Sequence, residues 1–297
     1  MDLRQLEIFA KVAELGSFSR AAEALLLTQP TVSEHIRSLE DELGIRLLDR
    51  LGRGAAVTRG GALLLSYAQR ILALARETRQ AMESFQGRMS GDLLVGASTI
   101  PGEYILPAVI GRFKDKYPDI AITLLIGGSG AVTEWVAEGR AEIGVVGARS
   151  ANRSIEYREL FPDDIVLIVA SAHAWHGRKQ VSLDELRAEP LLLRERGSGT
   201  RAAVESALEA AGIDLAGCRV VGEMGSTQAI KQAVKAGVGV SLLSRRAVEE
   251  ECRMGSLSCL RVKGLKIDRA FYLATHRDRS RSPLAEAFRA FVEAEAV

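Results

Sequence analysis

Cysteine is scarce in this chain, with three residues among 297: Cys218, Cys252 and Cys259. They stand at no metal or redox spacing and make no even set, so the expectation is ordinary reduced thiols, without a disulfide framework. Net charge is also nearly absent, at +1, so any basic patch has to be local. Long apolar runs are missing. None reaches the ~18 residues of a membrane span, and IVLIVASA (165–172) is strand-length. The opening MDLRQLEIFA carries Asp2, Arg4 and Glu7 where a signal peptide needs an apolar stretch, which points to a cytoplasmic protein with no membrane partner.

Catalytic signatures are missing as well. The glycine-rich pieces GGSG, GSGT and GVGVS do not continue as GKS or GKT, and none completes G-x-G-x-x-G. No G-x-S-x-G elbow occurs. His173 and His176 lack a nearby cysteine or carboxylate set and suit a solvated loop better than zinc. Glu249 to Glu251 look like an exposed helical charge run. The expectation is no enzyme activity, no cofactor and no metal.

What the chain does have is 47% hydrophobic residues and a mean hydropathy of +0.07, enough for two or three globular domains. Its character changes near residue 90. Up to there the apolar rhythm is helical and Pro30 is the one proline. Beyond it, short apolar runs (93–98, 121–127, 142–147, 165–170, 191–193, 218–223, 238–244, 270–276) alternate with helical patterns such as 107–117, 200–212 and 227–237. Strands alternating with helices of this length indicate βαβ units and mostly parallel sheets. The fold class expected is α/β behind a helical N-terminal module.

The segment LTQPTVSEHIRSLE (27–40) interrupts an alanine- and leucine-rich helix with polar residues and a proline. Proline is tolerated in a first helical turn and Thr28 suits an N-cap, so the interruption reads as a helix start. Val32, Ile36, Leu39 and Leu43 then form one buried stripe. Gln29, Thr31, Ser33, Glu34 and Arg37 occupy the opposite face. A short preceding helix (19–26), a tight turn and a polar N-terminal face make a helix-turn-helix whose second helix reads the major groove. Two packed helices of an ordinary helical domain are the bland alternative. Context favours DNA: Arg46, Arg50, Arg53, Arg59, Arg70 and Arg76 face one acid, Asp49, between residues 43 and 76. LLDRLGRGAAVTRGG (47–61) reads as two short strands around a glycine turn, a wing able to bring Arg50, Arg53 and Thr58 to phosphates.

These residues carry a family resemblance. F-x-x-V-A-x-x-G-S-F-S-x-A-A (Phe9 to Ala22), Gln29-Pro30, Ser33, I-x-x-L-E (Ile36 to Glu40), L-G-x-x-L-x-x-R (Leu43 to Arg50) and T-x-x-G (Thr58 to Gly61) resemble the N-terminal domain of LysR-type transcriptional regulators. Architecture extends the resemblance over the whole chain. Glu34 and His35 depart from the family's frequent basic or amide residues. Glu34 either accepts from a cytosine amino group or pairs with Arg37.

Ala62 to Phe85 is one helical pattern free of proline and glycine. Leu64, Ala68, Ile71, Ala75, Thr78, Met82 and Phe85 repeat at fours and threes, a heptad-like seam. Some 24 residues span ~36 Å, which suggests a second subunit, although small Ala68 and Ala75 also suit packing on the chain's own domain. The resemblance implies a dimerising linker helix, with homodimers or homotetramers. The expected organisation is a winged helix-turn-helix over 1–60, a linker over 61–90 and an effector domain over 91–297. The last is similar to two-lobed periplasmic binding proteins, with lobe I at 91–161 and 268–297 and lobe II at 162–267.

Ligands in such folds bind beyond the carboxyl ends of strands, at helix N-termini. Candidates there are Ser98, Thr99, Ile100, Ser129, Gly147, Thr200 and Ser226, whose small hydroxyls and free N–H groups suit an anion. Each hydroxyl is also what a plain N-cap looks like. The resemblance raises Ser98, Thr99 and Thr200 most. ASTIPGEYILP further resembles members governing sulphur or related anion metabolism, with Ile100 where sulphate-responsive members carry a second hydroxyl. The expected function is a DNA-binding regulator controlled by a small anionic effector, with RNA polymerase a partner if it activates. The rival is a solute-binding protein with a helical oligomerisation module.

Overall fold

In the computed structural model, residues 1–51, 54–85 and 89–296 are described. The contacts divide the chain into two compact units, parting between the helix that ends at Phe85 and the strand that begins at Gly91.

The first unit starts with α1 (Leu3–Leu15), held by a capping box between Asp2 and Gln5 and ended by Gly16 at φ 60°. Then come α2 (Phe18–Ala24) behind its N-cap Ser17 and α3 (Gln29–Leu43), with Thr28 as N-cap and Pro30 in the first turn. Val32, Ile36 and Leu39 are buried with Leu6, Phe9 and Val12 of α1. Leu43, expected in that stripe, is 37% exposed, because the helix ends there at Gly44. Strands β1 (Leu48–Leu51) and β2 (Gly54–Val57) pair antiparallel, and α4 (Arg59–Phe85) follows.

Two motif residues explain how the wing is seated. Glu40 Oε1 accepts from the backbone N–H groups of Leu47 and Leu48, at 2.7 and 3.1 Å, and so ties β1 to α3. Thr58 Oγ1 donates to the Arg46 carbonyl at 2.8 Å and accepts from Gly61 N–H at 2.9 Å. A Cβ on Gly61 would stand 2.1 Å from the Leu47 carbonyl oxygen, so only glycine fits that close approach.

The second unit is a mixed α/β body. Its strands are β3 (Gly91–Ser98), β4 (Ile120–Gly127), β5 (Ile143–Val146), β6 (Ile155–Ala170), β7 (Gln180–Val181), β8 (Leu191–Arg194), β9 (Val220–Met224), β10 (Val240–Ser244), β11 (Leu257–Val262) and β12 (Asp268–His276). They run in the order β4-β3-β5-β12-β6-β10-β8-β9, with β11 beside β6 and β7. The βαβ pairs β3–β4, β3–β5, β8–β9 and β8–β10 are parallel, as the alternation predicts. The sheet is less parallel than expected, since β6 is antiparallel to β10, β11 and β12, and β12 to β5. The 16-residue β6 reaches back to Ile155, where alternating charges mask the strand in the sequence. It pairs first with β12 and then with β10 and β11, joining two clusters of strands.

Around the sheet lie α5 (Leu106–Lys116), α6 (Ser129–Glu138), α7 (Leu183–Ala188), α8 (Gly199–Ala210), α9 (Thr227–Lys235), α10 (Glu249–Arg253) and α11 (Pro283–Glu295). A π-helical turn, Pro101–Ile105, precedes α5, so Pro101 opens that turn and not the α-helix itself. Phe113 of α5 meets Phe288 of α11 edge-on at 5.1 Å.

Two sequence expectations are corrected. Cys252 and Cys259 form a disulfide, while Cys218 is free. Gly255, at φ 71°, turns α10 back toward β11 and brings their Cα atoms to 6.4 Å, a juxtaposition that spacing alone does not reveal. Glu251 is not an exposed member of a charge run: its side chain is 13% exposed and bridges Lys231 at 2.8 Å and Lys235 at 3.5 Å.

Leu26, in the turn between α2 and α3, is 93% exposed at φ 55°. A left-handed leucine costs about 1–2 kcal/mol, and here no burial offsets it. Leu26→Asn is expected to raise stability by about 0.5–1 kcal/mol, read as a higher midpoint in thermal melts; an unchanged midpoint would refute the strain. Glu40→Ala leaves two wing N–H groups without their acceptor and should cost about 1–3 kcal/mol, with Glu40→Gln milder. Urea unfolding of the two variants checks the order, and equal losses would count against it.

Candidate DNA interface and effector cleft

The start of α3 is open to solvent. Gln29, Pro30, Glu34 and Arg37 are exposed, and Thr31 and Ser33 are half-buried. Gln29 Nε2 donates to Ser33 Oγ at 3.0 Å, and the Thr28 and Thr31 hydroxyls are 2.8 Å apart. The face is thus ordered in advance, with the N–H groups of Thr31 and Val32 already taken by the hydroxyl and carbonyl of Thr28. Among the described residues Glu34 forms no ion pair with Arg37, so its carboxylate stays available to a base edge. Arg50 is a backbone partner of Ala55 in the wing; its side chain, like the whole of Arg53, lies outside the described residues. The hydroxyl of Thr58 is engaged in the cap described above, leaving it structural work whatever else it touches.

The seam expected on α4 is displaced. Ala68 is fully buried and Leu64 is packed with Leu65 and Leu72 in the core of the first unit. Ile71 is 37% and Met82 56% exposed, while Ala75 is half-buried and the side chain of Phe85 lies outside the described residues. The exposed apolar stripe instead runs through Leu63 (64%), Tyr67 (52%), Ile71, Leu74 (61%) and Met82. It begins one residue earlier than the heptad pattern predicts, because the first two turns of α4 face their own domain.

In the second unit a tight cleft of about 20 Å³ brings together Ser98, Thr99, Ile100, Ser129, Gly147 and Thr200. Ser98 Oγ and Ser129 Oγ both accept from the Gly147 N–H, at 3.0 and 3.3 Å. Gly147 faces Gly199 closely: a Cβ on Gly199 would meet the Gly147 carbonyl at 3.2 Å. Ser226 is not in this lining. It caps α9, its hydroxyl accepting from Ala229 N–H at 3.0 Å, and the next residue, Thr227, faces the site's machinery instead.

That machinery includes residues which the sequence reading does not anticipate. Arg194 and Arg269 line the cleft, with side chains only 3% and 5% exposed. Arg194 grips Glu195 with Nε and Nη2 at 2.7 and 2.8 Å and donates to Thr227 at 2.6 Å. Arg269 donates Nε to Asp163 at 2.9 Å and Nη1 to Thr200 Oγ1 at 2.9 Å, and stacks over Phe271 at 4.9 Å. Burial pulls the Arg269 guanidinium below the usual arginine range, while Asp163 opposes that shift. The signal was present in LLLR and DRAFYL, where an arginine adjoins a buried strand run; such a residue is seldom buried without a partner. The lining carries two cations, the carboxylate of Glu195 and the N-termini of α6 and α8, a polar set suited to a small anion.

No described helix is long and apolar enough to cross a membrane. Among the described residues no group of three or more His, Cys, Asp or Glu is arranged to hold a metal.

Comparison with known proteins matches both units. Residues 3–62 match the family "Bacterial regulatory helix-turn-helix protein, lysR family", and residues 86–297 match "LysR substrate binding domain". A "Probable RuBisCO transcriptional regulator" of Trichormus variabilis is 35% identical over 289 residues, covering 96% of this chain and 86% of that one. Among solved structures, full-length CbnR in complex with its target DNA is 25% identical with a TM-score of 0.74, covering all of both chains. The CcmR regulatory domain of Synechocystis PCC6803 in complex with 2-PG is 26% identical with a TM-score of 0.64, covering 70% of this chain and 98% of that one. The relative's name concerns RuBisCO, where the ASTIPGEYILP stretch had suggested sulphur. With both units matched and a relative aligned along nearly the whole length, the chain belongs to the LysR family of DNA-binding transcriptional regulators with an effector-binding domain.

Proposed function

We propose that this regulator acts in the cytoplasm, without enzymatic activity, as a dimer or tetramer whose DNA affinity responds to a small di-anion bound in the cleft of the second unit. The observation that carries the effector class is the pair of buried arginines, Arg194 and Arg269, beside the starts of α6 and α8. So tight a cleft, about 20 Å³, excludes bulky ligands and leaves a compact anion as the class. The 2-PG held by the similar CcmR domain supports that class.

The division of labour follows the proposed domains, 1–60 for DNA, 61–90 for the linker and 91–297 for the effector. Gln29, Thr31, Ser33, Glu34 and Arg37 read base edges, Pro30 sets the helix start, and Arg50, Arg53 and Thr58 meet phosphates. Copies join through the exposed stripe of Leu63, Tyr67, Ile71, Leu74 and Met82. The CbnR complex with DNA supports a family-wide mode of binding. Within the cleft Thr99, Ser129, Gly147 and Thr200 supply hydroxyl and amide groups, and Ile100 closes the apolar side. Where the protein activates, RNA polymerase is its further partner.

Binding to the intergenic DNA beside its own gene, titrated with salt, is the test of the DNA half: affinity should fall steeply as salt rises. Arg53→Ala is expected to weaken all duplexes alike and to shallow the salt slope by about one; Gln29→Ala should alter sequence preference. Unchanged affinity in Arg53→Ala removes the wing assignment.

For the effector half, calorimetry with 2-PG, inorganic phosphate, sulphate and bicarbonate separates the classes. Arg194→Ala should weaken the bound anion tenfold or more, since a hydrogen bond to a charged group contributes about 1.5–3 kcal/mol. Equal binding by wild type and variant rules out a role for Arg194.

A further inference from the structure

The disulfide stands where neither the fold nor the effector cleft requires it. It closes a loop of seven residues' separation, a span short enough to constrain the unfolded chain only weakly. Both cysteines are half-buried, and two surface grooves of about 440 and 610 Å³ share Cys252, Cys259 and Arg245. The larger adds Arg178, Lys179 and Arg261. Arg245 and Arg178 are paired with Asp164 and Glu185, and Asp164 and Glu249 line the smaller groove. The larger groove carries four cations and, among the described residues, no acid, a surface that draws in anionic thiols. Cys218 stands in contrast, since burial pushes its thiol up. In a reducing compartment a disulfide with such access is transient or sensing.

The residue next to the bridge connects it to the cleft. Glu251 precedes Cys252 on α10 and holds Lys231 at 2.8 Å. Lys231 is 5% exposed, also donates to the Ala247 carbonyl at 2.9 Å, and lies 5.4 Å from the centroid of the Tyr104 ring. Tyr104 belongs to the π-helical turn that directly follows Thr99 and Ile100 of the cleft. On the other side, Lys231 is one turn along α9 from Thr227, which accepts from Arg194. A buried ammonium therefore lies against Tyr104, in the turn after Thr99 and Ile100, and one helical turn from the Thr227 that holds Arg194, and its counter-charge sits beside the disulfide.

We infer that Cys252 and Cys259 are a reversible thiol–disulfide switch, exchanging with an anionic low-molecular-weight thiol, and that the switch sets the cleft segment 99–106 through Glu251, Lys231 and Tyr104. The switch rests on the cytoplasmic placement and cleft assignment proposed above. In the oxidising direction one cysteine thiolate attacks the disulfide of the small thiol, forming a mixed disulfide and expelling one small thiolate. The second cysteine thiolate then attacks the protein sulfur and expels the other. Two electrons pass from the cysteine pair to the small disulfide, whose two thiolates leave and take up the protons shed by the cysteines. Reduction is the same sequence reversed.

The test uses the full chain equilibrated with graded mixtures of glutathione and glutathione disulfide, trapped by alkylation and read by peptide mass spectrometry. Cys252 and Cys259 should convert together, with a midpoint inside the range of mixtures and Cys218 reduced throughout. Hydrogen exchange on the same samples should speed several-fold at 249–260 on reduction and, in step, at 99–106. Lys231→Met should keep the first response and lose the second; Glu251→Gln, which retains an acceptor at that site, provides the same comparison should Lys231→Met fold poorly. A pair that stays fully reduced or fully oxidised across all mixtures overturns the switch. Reversible exchange with no change at 99–106 overturns the coupling. Because hydrogen exchange is read without any effector, failure of the effector assignment would appear separately, as absent ligand binding in calorimetry.

Discussion

Asp163 and Arg269 sit opposite each other in the β6–β12 register, with side chains 0% and 5% exposed. Two charges removed from water are costly unless every remaining lone pair and N–H finds a partner. Here partners come from four elements. Asp163 accepts from Ser244 of β10 at 2.6 Å, and Arg269 donates to Thr200 of α8. One ion pair therefore binds the two longest strands, a third strand and the helix start that faces the cleft. Breaking such a pair costs about 3–5 kcal/mol, most of it the uncompensated charge left behind. The cleft's position thus depends on a contact that no conservative exchange reproduces, since lysine lacks the guanidinium fork that reaches Asp163 and Thr200 at once.

The same pair limits what the cleft can hold. Arg194 with Glu195 and Arg269 with Asp163 are balanced charge for charge, so the empty site stays near neutrality and carries no large electrostatic penalty. Under the function proposed above, an entering anion would share each guanidinium with a carboxylate already there, and gain the N–H groups of α6 and α8 that have no intrahelical acceptor. Affinity then comes from donors already fixed by burial, which is the condition for a preorganised site. The close approach of Gly147 and Gly199 keeps these donors within reach of one small molecule. A bulky ligand would have to separate them.

How much of this the sequence discloses depends on whether a feature is local. The helix-turn-helix is legible because its signals are short-range: a cap at Thr28, a proline at Pro30, a stripe at Val32, Ile36 and Leu39. The helix starts around Ser129 and Thr200 are legible for the same reason. Arg269 and Asp163 are 106 residues apart, and nothing near either one announces the other. Ser226 and Thr227 show the limit at finer grain. Both are hydroxyl residues at one helix start, and only the packing of α9 against β8 decides that the second meets Arg194 while the first merely caps. The Cys252–Cys259 bridge fails to show for a related cause, since a glycine turn and not a recognised spacing brings the sulfurs together.

The linker helix carries a similar lesson about period. A heptad reading advances 3.5 residues per turn, while a straight helix advances 3.6 and drifts ~20° per heptad. Over the 27 residues of α4 that drift moves a seam by most of a residue position. Leu64 and Ala68 satisfy the heptad and yet face inward, because the T-x-x-G start at Thr58 and Gly61 fixes the rotation of the first turns against the wing. Once that rotation is set, Leu63, Tyr67 and Leu74 are directed to solvent, and large exposed apolar side chains at helical spacing are the ones left for another chain to cover. The residue that decides which face of α4 is left exposed is therefore not on that face at all. It is Gly61, whose missing Cβ lets the helix start against Leu47.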